Sequence, residues 1–140
     1  GEWDYRTYDK WSDVIDGLFA RSSALNIALV GSSNAMEIAN ELISAHGKKN
    51  IVNMVNQLTF VQTASVIKDS QVLLCCDGGL MHAANAVGTP IIPLFARLTP
   101  EMQLTHSVVA FSNFDELDVK KISVESILTQ YDNAYKFLNI

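Results

Sequence analysis

The sequence predicts an α/β protein, a Rossmann-like parallel sheet covered by helices on both faces in three α/β/α layers. Three observations carry that prediction. Short apolar runs recur along the 140 residues, segments with apolar residues at helical spacing alternate with them, and the turns between are brief. Apolar runs without polar alternation are the mark of strands buried on both faces of a parallel sheet.

Taken in order, Trp11–Phe19 places Val14, Ile15, Leu18 and Phe19 at helical spacing and predicts a first helix. The charged segment before it, with Trp3, Tyr5 and Tyr8, reads as an entry loop. Together with Trp11, these aromatics are placed either to cover the domain edge or to meet a further domain. Asn26–Val30 is a buried strand ending at Gly31, with Ser32, Ser33 and Asn34 as capping residues of a helix over 35–45 that stops at Gly47. Ile51–Val55 is the next strand. Thr59 caps a helix running through Val66, on which Phe60, Ala64 and Ile67 share a face. Gln71–Cys76 is the central strand, Gly79–Val87 a short helix, Pro90–Phe95 a strand and Ser107–Phe111 one more. Ser123 caps a last helix with Val124, Ile127, Leu128 and Tyr131 on its stripe. No linker or repeat interrupts the pattern, so residues 1–140 read as one domain.

Composition narrows the function. Hydrophobic residues make up 49% of the chain and the net charge is −5, which suits a globular protein and gives no clustered cations for a nucleic-acid backbone. No apolar run approaches the ~18 residues of a membrane helix. Cys75 and Cys76 are sequence neighbours and point to opposite faces of a strand, so they are expected as free thiols of a reducing cytoplasm. Gly1 in place of Met points to further sequence upstream.

The most informative stretch is Asp77-Gly78-Gly79-Leu80-Met81-His82. An apolar strand stops on an acid, two glycines follow, and a histidine stands one helical turn on. Ligands of open α/β sheets bind outside the carboxyl ends of the strands. Asp77 is open to two readings, a helix cap or a ligand contact. Gly78 and Gly79 are a plain turn or leave helix N–H groups free for an anion such as phosphate. His82 is structural or part of the same site. Gly31 to Asn34 form a second turn of this kind, a plain cap or a ligand loop, and Thr99–Glu101 a third, with Glu101 and Arg97 read as solvated residues on the same edge. His46 and His106 lack metal-ligand spacing and read as surface residues. No Ser-His-Asp arrangement is evident, nor a Walker or G-x-G-x-x-G signature.

The block from Asp77 to Phe95 resembles the donor-binding half of glycosyltransferase family 9, the heptosyltransferases, whose usual form is D-[S/T]-G-x-x-H-x-A-A-A-x-G-x-P-x-x-x-L-[F/Y]-G. Leu58-Thr59-Phe60 and Gly31 match the family's loops further back. The resemblance implies a GT-B fold, with this chain as its C-terminal nucleotide-sugar domain and an acceptor-binding N-terminal domain as partner. It implies that Asp77 contacts the donor sugar, that the backbone of Gly78 and Gly79 holds the diphosphate, that His82 lies near the phosphates and that Leu58 packs on the base. Met81, Gly31 and Asn34 join them as substrate-binding positions. The donor is implied to be an ADP-linked sugar and the acceptor a lipopolysaccharide-type or other glycan. Transfer is implied to be inverting and metal-free, with the base outside this fragment, which alone is expected to be inactive. The place implied is cytoplasmic, peripheral to the inner membrane face. Gly78, Ala96 and Arg97 depart from the pattern. The usual upstream Lys falls at Gly1, and the ribose-binding acid falls to Asn34 or Glu37. A non-catalytic nucleotide or sugar-phosphate module, or an interaction domain without a ligand, is the alternative.

Overall fold

The computed structural model describes residues 4–104 and 108–139. Gly1, Trp3, His106 and Ser107 lie outside the described residues. The chain divides into two compact units. One comprises residues 11–63, the other the segment ending at Lys10 together with the chain from Ala64 onward.

In the first of these, α1 (Trp11–Arg21) leads to β1 (Ile27–Leu29), α2 (Met36–His46) and β2 (Ile51–Asn53). The two strands pair in parallel, with Ile27 opposite Ile51 and Leu29 opposite Asn53. Ile15, Phe19 and Leu42 form the core, and Trp11, Leu25, Ile27, Leu29, Ile38 and Ile51 pack on it. The 35–45 helix begins as a 3-10 turn, Ser33–Ala35. Ser32 makes no side-chain cap there; its hydroxyl donates instead to Asn34 Oδ1 at 2.7 Å. His46 is a correction: rather than a surface residue it is buried, with Nε2 2.8 Å from Ser12 Oγ and Nδ1 3.4 Å from Asp16. One ring thus pins α2 to α1 through both of its nitrogens.

α3 (Phe60–Lys68) opens on a reciprocal capping box. Gln62 N–H donates to Thr59 Oγ1 at 3.1 Å while Thr59 N–H donates to Gln62 Oε1 at 2.8 Å. Its predicted apolar face is corrected at one end, because Phe60 is 62% exposed whereas Ile67 is buried.

The other unit holds β3 (Leu73–Cys76), α4 (Gly79–Val87), β4 (Ile91–Ala96), α5 (Pro100–Gln103), β5 (Asn113–Asp115) and α6 (Val124–Leu138). Its sheet has the order β3-β4-β5, all parallel, with Cys76 opposite Leu94 and Ala96 opposite Asp115. Every residue of β4 is buried, as expected for the middle of a covered parallel sheet. Ile67, Cys75, Met81, Ala83, Ala84, Ile91 and Phe95 form the core beneath α4. Gly88, at φ 82°, takes the left-handed cap that ends α4, and Thr89 Oγ1 then donates to the Ile67 carbonyl at 2.8 Å.

The strand predicted over 107–111 is reduced to a single bridge, Ile91 with Ala110, and pairing resumes only at β5. Proline explains the gap. Ile91 N–H donates to the Val109 carbonyl and Phe111 N–H to the Ile91 carbonyl. The next bond in that ladder would come from residue 93, which is proline and has no N–H. The chain therefore departs at Ser112, whose carbonyl takes Gln130 Nε2 at 2.7 Å.

Asn85 on α4 has a buried Oδ1 with no hydrogen-bond partner among the described residues. Such a group costs about 1–3 kcal/mol, and alanine is also the better helix former by several tenths. Asn85→Ala is therefore expected to raise the urea midpoint, corresponding to a gain of about 1 kcal/mol.

Candidate functional site

Parallel strands end together, so each sheet presents one carboxyl edge. In the residue 11–63 unit, that edge carries Gly31 after β1 and the loop from Asn53 to Leu58 after β2. Gly31 has φ 154°, and a Cβ there would come within 3.1 Å of Ala35 Cβ; its carbonyl accepts Asn56 N–H at 2.9 Å. Glycine is needed at this position for both reasons. Asn34 and Glu37 are exposed and Leu58 is half-buried.

In the other unit, the edge carries Asp77, Gly78 and Gly79. Asp77 continues β3, its N–H donating to the Leu94 carbonyl at 3.2 Å. Its side chain is only 9% exposed and stands 3.8 Å from Arg6 Nη2. The guanidinium of Arg6 also donates twice to the Asp77 backbone carbonyl, from Nη2 at 2.8 Å and Nε at 3.2 Å. Arg6 sits on a 3-10 turn, Asp4–Arg6. The same stretch is fastened further along, where Tyr8 Oη donates to the Ile122 carbonyl at 2.9 Å and Lys10 Nζ to the Lys120 carbonyl. Arg6 was not legible as a site residue, since it lies 71 residues from its partner in sequence.

Gly78 is the N-cap of α4 and makes no side-chain cap. Its φ of 164° is extended backbone open to any residue, and a Cβ at Gly78 or Gly79 would meet nothing within 4 Å. The turn is thus a bare, open ledge at a helix N-terminus, where unpaired N–H groups and the dipole favour an anion. The Cβ of the serine or threonine in the family pattern would therefore meet open space at Gly78. His82 is exposed on the first turn of α4, and its N–H donates to the Gly78 carbonyl at 3.3 Å. Met81 differs from its expected role: at 0% exposure it is a core residue under α4 rather than a surface contact.

Next to Asp77 on this edge, β4 ends at Ala96, and Arg97 follows. Arg97 has φ 70°, its guanidinium carbon lies 3.8 Å from the centre of the Tyr5 ring, and its Nε donates to the Leu117 carbonyl at 3.1 Å. Glu101 is exposed on α5, which starts at Pro100 with no side-chain cap from Thr99.

Two open depressions include none of these edge residues in their lining. One of about 400 Å³ is lined by Asp16, Phe19 and Lys49 among others, and is crossed by the 3.6 Å Lys49–Asp16 ion pair. One of about 420 Å³ runs along the polar side of α6 past Ser126 and Gln130. Neither gathers apolar walls around convergent polar groups, as small-molecule sites do.

Cys75 and Cys76 are free. Burial pushes both thiols up, Cys75 far above the usual range and Cys76 to about 11, where the Tyr8 backbone N–H and Arg6 pull it partly back. A thiol at about 11 is roughly one part in a thousand thiolate at pH 8, and the thiolate is the nucleophile. Neither cysteine of the native protein is expected to react with a disulfide reagent within minutes at pH 8, and both should react in denaturant. Among the described residues, no group of three or more His, Cys, Asp or Glu is placed to hold a metal ion. No described helix is long and apolar enough to cross a membrane.

Comparison with known proteins bears on the whole chain. The sequence profile of glycosyltransferase family 9 (heptosyltransferase) matches residues 2–131. The chain is 28% identical over 86 residues to lipopolysaccharide heptosyltransferase 3 of Escherichia coli, a match covering 61% of this chain and 25% of that protein. Its fold is shared with the E. coli ADP-heptose lps heptosyltransferase II, at TM-score 0.78 and 17% identity, over 98% of this chain and 44% of that one. It is shared likewise with a family 9 glycosyl transferase from Veillonella parvula DSM 2008, at TM-score 0.74 and 14% identity, over 96% and 42%. The chain thus spans less than half the length of each of these proteins. Together with the parallel sheets and their helices, these likenesses give an α/β fold of the kind found in GT-B heptosyltransferases, and the chain belongs to glycosyltransferase family 9.

Proposed function

We propose that this chain is the nucleotide-sugar-binding part of a heptosyltransferase-like glycosyltransferase, acting on a lipopolysaccharide-type or other glycan acceptor. The observation that carries the reading is the Asp77-Gly78-Gly79 ledge, where a nearly buried carboxylate held by Arg6 adjoins an uncluttered helix N-terminus. That pairing suits a ligand with an anionic half and a hydroxyl-rich half.

The chemistry follows from the two halves. The diphosphate lies against the backbone N–H groups of Gly78 and Gly79, where charge developing on the departing phosphate is met by fixed dipoles. His82, exposed one turn further on, adds a hydrogen bond to the same group. Asp77 accepts hydrogen bonds from sugar hydroxyls and fixes the anomeric carbon for attack. The base that takes the acceptor's proton comes from an acceptor-binding partner domain outside this chain, and no metal takes part in the proposed step.

Calorimetric titration with ADP, UDP and GDP tests the reading. ADP is expected to bind best, and His82→Ala to weaken it roughly 10- to 100-fold, the size of a hydrogen bond to a charged group. Absence of binding by all three nucleotides would leave an interaction domain as the better account.

A further inference from the structure

The 3-10 turn Asp4–Arg6 grips two neighbouring strand ends at once. Arg6 holds the Asp77 carbonyl after β3, and Tyr5 carries the guanidinium of Arg97 after β4. Because Cys76 is level with Leu94 in the ladder, Asp77 and Arg97 emerge on the same edge from neighbouring strands, Arg97 two residues beyond the position level with Asp77.

Arg97 is an odd residue to find there. Its φ of 70° is a left-handed conformation in which a side chain is strained and glycine is at ease. The residue is exposed to solvent, so core packing does not require it. Yet its side chain is seated, by the Tyr5 ring on one face and by the Leu117 carbonyl at Nε. Its terminal Nη groups have no hydrogen-bond partner among the described residues. A strained position kept in place by its surroundings, ending in a prearranged and unspent two-pronged donor, is how an oxyanion is recognised.

We propose that Arg97 is a specificity-determining residue, whose Nη groups take a phosphate of the nucleotide diphosphate presented at the Asp77 ledge. Tyr5 is its positioning residue. This assignment rests on the donor-binding reading above, and the test separates the two.

The measurement is calorimetry of the protein with ADP, AMP and adenosine at two salt concentrations. Three variants are compared with the parent: Arg97→Gly, Arg97→Lys and Tyr5→Leu. Glycine suits φ 70°, so Arg97→Gly should keep or raise the melting temperature, which removes misfolding as a cause. It is expected to bind ADP roughly 10- to 100-fold more weakly, as for loss of a charged bidentate contact. Adenosine binding should not change, and the salt dependence of ADP binding should become shallower. Arg97→Lys should recover part of the loss, and Tyr5→Leu should weaken ADP in the same direction by less. If Arg97→Gly binds ADP as tightly as the parent, with the same salt dependence, the role of Arg97 is overturned while donor binding stands. If the parent binds none of ADP, UDP and GDP, both readings fall.

Discussion

Phe95→Ala is expected to cost about 3–5 kcal/mol, the range for removing a large aromatic side chain from a packed core. Phe95 is fully buried on β4, the middle strand of its sheet, within the cluster of Ile67, Cys75, Met81, Ala83, Ala84 and Ile91. The neighbours belong to two strands and two helices, and a sheet paired on both edges of β4 has little freedom to collapse into the void. The loss is a large share of the about 5–15 kcal/mol by which domains are stable. Urea titration followed by circular dichroism checks it. Phe60→Ala is the matched control: the same side chain, 62% exposed, should change stability by less than about 0.5 kcal/mol. Equal effects from the two substitutions would contradict the core described above.

Asp77→Asn should separate the two halves of the proposed ligand. The fold is expected to survive, because Arg6 donates to the backbone carbonyl of residue 77, which the substitution leaves in place. Binding of the nucleotide-sugar should fall roughly 10- to 100-fold, the value of a charged hydrogen bond lost to sugar hydroxyls. Binding of ADP alone should hold or improve, since a negative charge close to the phosphates is removed. Parallel titrations with ADP and with an ADP-sugar read this split. A uniform loss on both ligands would place Asp77 in the structure of the turn rather than in contact with the sugar.

Local signals were legible where the physics is local. Thr59 before Phe60, and Ser123 before Val124, are caps whose partners lie within one turn, and both helices start where those residues say. The helix Gly79–Val87 emerged with its predicted bounds, between a glycine turn and a left-handed glycine cap. What escaped depends on residues far apart in the chain. β5 reads as Asn-Phe-Asp, which carries no strand signal. It forms because Asn113 is buried with its Oδ1 accepting from Ser126 Oγ at 2.8 Å and Phe114 sits opposite Phe95 in the ladder. His46 looked like a surface residue because its partners, Ser12 and Asp16, stand on a different helix. In the site, the Asp77 turn announced itself through the strand that ends on an acid, whereas Arg6, Tyr5 and Arg97 came together only through the fold.

The way the chain threads its two units has a kinetic meaning. The segment bearing Arg6, Tyr8 and Lys10 belongs with the strands that begin at Leu73, yet residues 11–63 intervene and form a unit of their own. Docking that segment while the intervening stretch is still random coil would cost roughly 3–4 kcal/mol of loop-closure entropy. A stretch that has already condensed no longer has that freedom to lose. The order favoured is therefore inside-out, with the interposed α1–β2 unit condensing early and the grip on Asp77 among the last contacts made. In native-state hydrogen exchange, the backbone amides of the Asp4–Lys10 strap should then open at lower free energy than those of β4, so the Arg6 grip on Asp77 is released before the sheet beneath it.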